Sequence, residues 1–139
     1  MLMSVRVANK VVKGLLRSPL HPVLSRTVDV VGYTGRRSGR RFSTPTQYVA
    51  SGDDVIILVG HPETKTWWRN FRDAHDLDVM VRGRWRPMTA RAIVGAEEPD
   101  AVAPLLDAYL NRFPKAARTL GASAPTRVRR AVIVHCQPR

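Results

Sequence analysis

The sequence holds a single cysteine, Cys136. One thiol can neither close an internal disulfide nor complete a zinc site. A reducing cytosol is therefore the expected compartment, and a half-buried strand position the expected role of Cys136. Long apolar runs are also missing: nothing comes near the roughly 18–20 uninterrupted apolar residues of a membrane span. The basic start, Met1 to Arg17, lacks a compact apolar segment and a small-residue cleavage site, so it does not read as a secretory signal. Acids are scarce, 11 against 23 Lys and Arg, and Asp29 is the one acid among residues 1–50. Repeats, low-complexity tracts and linkers are absent, and 139 residues suit a single domain spanning 1–139.

Several chemistries lack their motifs. There is no Gly-Lys-Ser/Thr phosphate loop, no GxGxxG, no HExxH and no pair of histidines at metal-ligand spacing, so no metal site is expected. Ser38 has no nucleophile motif around it, although His21, His61, His75 and His135 are available, so no catalytic triad is expected. Asp53-Asp54 and Glu97-Glu98 fall in expected turns, where carboxylates are usually solvated.

What is present is positive charge. The net charge of +12 attracts something anionic: nucleic acid, anionic lipid or a phosphorylated ligand. Within the first 20 residues, 4–17 place Val5, Ala8, Val12, Leu15 and Leu16 at helical spacing among basic residues, an amphipathic helix closed by Pro19 and Pro22. Such a helix either docks on the domain or lies on an anionic membrane surface.

The rest alternates strands with short helices. Residues 27–34 and 41–50 read as strands around a turn, and Pro45 argues for an edge or bulge in the second. A hairpin turn at 51–54 leads to a buried strand, 55–59. Residues 64–72 read as a short helix capped by Thr64 or Thr66. Residues 77–82 and 84–95 form a strand pair about Gly83. Residues 98–111 make a helix with Val102, Leu105, Leu106 and Tyr109 as its stripe. Residues 114–121 read as a further short helix, and 128–136 as the last strand. Six antiparallel strands without βαβ alternation predict an α+β chain, a closed or partly closed six-stranded barrel with flanking helices.

Three constellations can carry chemistry. In Thr34-Gly35-Arg36-Arg37-Ser38-Gly39-Arg40-Arg41, four arginines within six residues repel one another unless an anion sits among them. Guanidinium forks and backbone N–H groups suit phosphate, and a solvated hairpin tip is the plain alternative. In Thr44-Pro45-Thr46-Gln47-Tyr48, Thr44, Thr46 and Tyr48 share one strand face, Pro45 and Gln47 the other. They either meet a ring's edge or form an ordinary amphipathic strand. In the segment from Val59, Gly60 and His61 to Lys65, Thr66, Trp67, Trp68 and Asn70, glycine lets a planar ligand approach the backbone. The two adjacent tryptophans cannot both face one core, since neighbours on a helix lie about 100° apart.

Taken together, Thr34-Gly35-Arg36-Arg37-Ser38-Gly39, Pro45 with Tyr48, Ile57-Leu58-Val59-Gly60 and Trp67-Trp68-Arg69-Asn70-Phe71 resemble the deazaflavin-dependent nitroreductase family of actinobacteria. Asp78-Val79-Met80-Val81-Arg82-Gly83 and Arg112-Phe113-Pro114-Lys115-Ala116-Ala117 extend the likeness over roughly 18–121. The resemblance implies a split β-barrel of the flavin-reductase type that binds reduced coenzyme F420, whose phosphodiester and polyglutamate tail suit a basic mouth. By position it implies that Arg36, Arg37, Ser38 and Gly39 hold the phosphate end. Thr44 to Tyr48 and Val59 to His61 would flank the ring, and Lys65 to Trp68 with Asn70 would close the pocket. One departure stands out: the family's usual Gly-Gly pair after the third strand is here Gly60-His61-Pro62-Glu63.

The expected activity is hydride transfer from reduced deazaflavin to a quinone, nitroaromatic or conjugated carbonyl, with Tyr48, His61 or solvent as proton donor. FMN in the same barrel is the alternative cofactor. A cofactor-sequestering or nucleic-acid-binding protein without catalysis is the alternative class, although no nucleic-acid motif is present. A cytoplasmic homodimer, with peripheral membrane contact through the N-terminal helix, completes the expectation.

Overall fold

The computed structural model describes residues 28–139. The expected N-terminal helix, and His21 with it, lie outside the described residues. Six strands join in the order β1-β2-β3-β6-β5-β4 into a closed barrel. They are β1 (Val28–Thr34), β2 (Arg41–Ser51), β3 (Asp54–Leu58), β4 (His75–Val81), β5 (Arg84–Val94) and β6 (Val132–Pro138). The pairs β1–β2, β1–β4, β2–β3 and β3–β6 are antiparallel. Turn chemistry sets these hairpins: Gly52 takes φ 59° between β2 and β3, and Gly83 takes φ 77° between β4 and β5.

The described residues fall into two compact units, one of 28–47, 76–89 and 138–139, the other of Tyr48–His75 and Ala90–Gln137. In the first unit β1 is buried on both faces, with Val30 and Val31 at 0% exposure. Asp29 is buried there as completely. It stands opposite Thr46 in the β1–β2 register, and the Thr46 hydroxyl donates to its Oδ1. Its Oδ2 is buried without a hydrogen-bond partner.

The second unit has its own core. Helix α1 (Pro99–Arg112) lays Val102, Leu106 and Tyr109 against Ile56 of β3, Ile93 of β5 and Ile133 of β6. The expected stripe is thus the buried one, and Leu105 packs at its margin. Helix α2 (Ala124–Arg130) is capped by Ser123, whose hydroxyl accepts from the Thr126 N–H. Gly95 passes beneath this helix. A β-carbon there would sit 1.7 Å from the Val128 carbonyl oxygen, and the Gly95 N–H donates to Ala131 at 2.8 Å.

Some local expectations change. Residues 64–72 are not one helix but two 3₁₀ turns, Pro62–Thr64 and Trp67–Phe71. Lys65 between them is extended (φ −114°, ψ 145°), and the Thr64 hydroxyl bonds back to the His61 carbonyl instead of capping. Residues Pro114–Thr119 are likewise 3₁₀. Val128 to Arg130 belong to α2 rather than to the last strand, because the Ser123 cap and Pro125 start a helix that overrides their β-branched and basic composition. Pro45 marks a local edge, as expected. It lies where β2 pairs with β1 alone, opposite Val30, while pairing with β3 begins at Tyr48. Cys136 is fully buried, beyond the half-buried position expected.

Two outcomes follow for stability. Desolvation pushes the Asp29 carboxyl up from 3.8 to about 7, against the lowering effect of the Thr46 hydrogen bond. The folded chain then holds a proton that the unfolded chain releases. The stabilisation from Asp29 is fully present below pH 3.8 and is lost as pH rises to about 7. Urea melts from pH 4 to 8 should show this decline, on the order of a few kcal/mol, and Asp29→Asn should flatten it. Gly95→Ala should lower stability by on the order of 3 kcal/mol, since the new methyl meets backbone rather than a movable side chain. A melt that matches wild type would remove that close approach from the account.

Candidate functional site

The β1–β2 turn is built from within. Gly35 N–H donates to Arg40 at 2.8 Å, Gly39 N–H to Gly35 at 2.9 Å, and Arg40 N–H to the Ser38 hydroxyl at 3.2 Å. Gly39 takes φ 68° with open space on its β-carbon side. At Gly35 a β-carbon would meet the Phe42 ring at 2.8 Å and Ser38 Oγ at 2.9 Å, so a larger residue would displace one of these side chains. The N–H groups of Gly35, Gly39 and Arg40 are thus spent inside the turn. What it presents outward are the side chains: Arg36, Arg37, Ser38 and Arg40 are all exposed. The Arg40 guanidinium lies 5.8 Å from the Phe42 ring centroid, and Phe42 stacks on Tyr33 at 5.7 Å. Arg41 pairs with Asp78 at 2.8 Å. Three guanidinium groups on a stiff, internally bonded tip make a donor surface for a phosphorylated ligand.

Along β2, Thr44, Pro45 and Thr46 are half-buried, Gln47 is exposed and Tyr48 is buried at 3% exposure. Thr46 spends its hydroxyl on Asp29. Asp29, the lone acid of the first 50 residues, is not among the site residues expected from sequence. Its signal was there: an acid inside a β-branched run, on a strand whose neighbours are all core types.

In the second unit, Val59 is buried and Gly60 is exposed, with nothing within 4 Å of its β-carbon position. His61 takes a left-handed φ of 49°, its side chain is exposed, and Nδ1 lies 3.8 Å from Glu63. The loop that follows is tied to its own backbone. Lys65 Nζ donates to Gly60 O at 3.0 Å, Trp68 Nε1 to Pro62 O at 2.9 Å and Asn70 Nδ2 to Trp67 O at 2.9 Å. Trp68 is buried, with the Arg69 and Arg72 guanidinium carbons 5.6 Å and 5.8 Å from its ring. Trp67 is half-buried, edge-on to Phe71, and Thr66 is exposed. The tryptophans therefore divide as their adjacency required, one inward and one to the margin.

The two other described histidines, His75 and His135, have structural partners. His135 bonds Asp54 at 2.9 Å, and His75 packs against the Phe71 ring. Among the described residues no three His, Cys, Asp or Glu side chains gather as for a metal, and no helix is long and apolar enough to cross a membrane.

Comparison with known proteins agrees with this fold. The chain resembles a domain-swapped dimer at TM-score 0.61 and 15% identity, covering 96% of this chain and 98% of the other. It resembles an F420-H2-dependent reductase at TM-score 0.60 and 18% identity, covering 81% and 95%. An FAD- and haem-binding protein from Mycobacterium smegmatis matches at TM-score 0.53 and 18% identity, covering 87% and 66%. At these identities the likeness is one of fold, the closed six-stranded antiparallel barrel. None of the curated proteins matches. The profile of the F420H(2)-dependent quinone reductases matches residues 20–129, which contain the arginine turn, the β2 strand and the loop from Gly60 to Asn70. On that match the chain belongs to the F420H(2)-dependent quinone reductase family, and it is an oxidoreductase that uses coenzyme F420.

Proposed function

We propose that this enzyme reduces small electrophilic acceptors, quinones first and nitroaromatics or conjugated carbonyls beside them. The arginine turn carries this reading. F420 bears a phosphodiester and an anionic tail, and the exposed Arg36, Arg37 and Ser38 supply the donors such a group needs. Gly39 and Arg40 give the turn its stiffness through internal bonds. The open β-carbon side of Gly60 is what the close approach of a flat ring requires, and we assign ring contacts to Val59, Gly60 and His61 on that basis. Thr44, Pro45, Thr46, Gln47 and Tyr48 are assigned to the same role from β2. Lys65, Thr66, Trp67, Trp68 and Asn70 are assigned to shaping the loop, since Lys65, Trp68 and Asn70 hold it by side-chain bonds to its own carbonyls.

When bound, reduced F420 supplies the hydride, and the protein supplies orientation and a proton. Of the two candidate donors, the Tyr48 ring is buried while the His61 ring is in solvent. His61 can exchange its proton with water between turnovers, so we assign it proton delivery and Tyr48 the role of a rigid wall. A pairing of two copies in solution is part of this reading, supported by the dimer that one fold neighbour forms. Light scattering checks it.

Titration with F420 tests the binding half. Arg36→Ala and Arg37→Ala should each raise Kd about tenfold or more, the worth of a charge-assisted hydrogen bond, while the exposed positions leave the melting temperature unchanged. Unchanged affinity in both variants, or preference for FMN, would sink the assignment. His61→Asn keeps a residue that tolerates the left-handed backbone and removes the imidazole. It should lower quinone turnover by on the order of 10²-fold and leave F420 affinity in place. Full turnover in this variant would return proton delivery to solvent.

A further inference from the structure

The β4–β5 hairpin carries a feature that the cofactor reading does not use. Its two-residue turn has positive φ at both positions, 53° at Arg82 and 77° at Gly83. Primed hairpin turns of this kind favour Asn-Gly, and arginine is a strained choice for the first place. Arg82, Gly83, Arg84, Trp85 and Pro87 are exposed, and Arg86 is half-buried. Trp85 is 40% exposed although its ring is seated: a β-carbon at Gly32 would meet Arg41 Nη2 at 3.0 Å and the indole at 3.4 Å. No acid occurs from Val79 to Ala96; Arg91 in this stretch pairs with Glu98, while Arg82 and Arg84 are exposed at the turn. The acids just before it are already engaged, Asp78 by Arg41 and Arg139, and Asp76 by Arg139.

We propose that the hairpin from Arg82 to Pro87 docks the protein on an anionic lipid surface. Successive strand residues point to opposite faces, so Arg84 and Arg86 lie on one side of the ribbon and Trp85 and Pro87 on the other. A linear polyanion lying along either face would meet the arginines or the indole. A bilayer surface surrounds the tip and meets both, with indole at the headgroup level and guanidinium groups on lipid phosphates. Arginine in the strained turn position puts a third charge at the extreme tip. The hairpin and the arginine turn occupy opposite ends of β1, because β4 runs against β1 with Val30 opposite Met80 and Gly32 opposite Asp78. Docked by this hairpin, the protein keeps the arginine turn in water, where a polyanionic cofactor is dissolved.

Flotation of the full chain with phosphatidylcholine vesicles, with and without phosphatidylglycerol, tests the proposal. Binding should require phosphatidylglycerol and weaken with salt. Arg82→Asn and Arg84→Gln should each weaken it about fivefold. Arg82→Asn should also melt at or above the wild-type temperature, which separates lost docking from lost folding. Tryptophan emission should move to the blue on binding, and Trp85→Phe should lose most of that shift. Equal vesicle binding by wild type and the Arg82→Asn/Arg84→Gln double variant overturns the proposal. So does the absence of vesicle binding, with or without capture of a single-stranded oligonucleotide.

Discussion

The constraint that orders this barrel is the pairing of β2, which changes partners along its length and is laddered on one edge at a time. Arg41 to Gln47 pair with β1, and Tyr48 to Ser51 pair with β3. This hand-over lets one eleven-residue strand lead from the arginine turn to the second hairpin. It also explains how a proline, which lacks a donor, sits in a closed barrel: at Pro45 the strand has a ladder partner on one side only. The polar run from Thr44 to Tyr48 is therefore placed by backbone pairing, and its side chains are left to other work.

The same pairing sets Asp29 opposite Thr46. A buried carboxyl with one orphaned oxygen is an expensive arrangement, and burial answers it by pushing the group's pKa up to about 7. The Thr46 hydroxyl is thereby committed to the fold. Elsewhere polar side chains do the same for loops: Ser38 closes the arginine turn, and Lys65, Trp68 and Asn70 brace the segment after Gly60. Much of what reads in sequence as candidate ligand chemistry is spent on holding backbone in place. Arg36, Arg37 and the His61 ring are exposed on these loops and fill no core.

Strand periodicity and turn residues made the six strands readable, because a two-residue alternation bounded by Gly, Asp and Pro has few other solutions. The α1 stripe was readable for the same reason at helical period. Short helices were not. The segment after His61 contains helix-compatible residues, and only the extended Lys65 between two turns shows that no continuous helix forms. Residues Val128 to Arg130 have strand composition, but a serine cap and a proline upstream recruit them into α2. Local propensity lost in both places to a neighbouring cap or kink.

By itself the sequence determined the strand set, the excess of positive charge and the clustering of arginine at two hairpin tips, since these depend on residue order alone. The combination of turn, strand and tryptophan motifs carried the family resemblance as well. Tertiary structure decided which polar groups are available. Burial and pairing depend on residues far apart in the chain, such as Asp29 with Thr46, Arg41 with Asp78 and Gly32 with Trp85. No local pattern could show that burial pushes the Asp29 carboxyl up, that Gly95 must admit a helix carbonyl, or that the hairpin at Arg82 is strained, because each follows from what the folded chain brings against it.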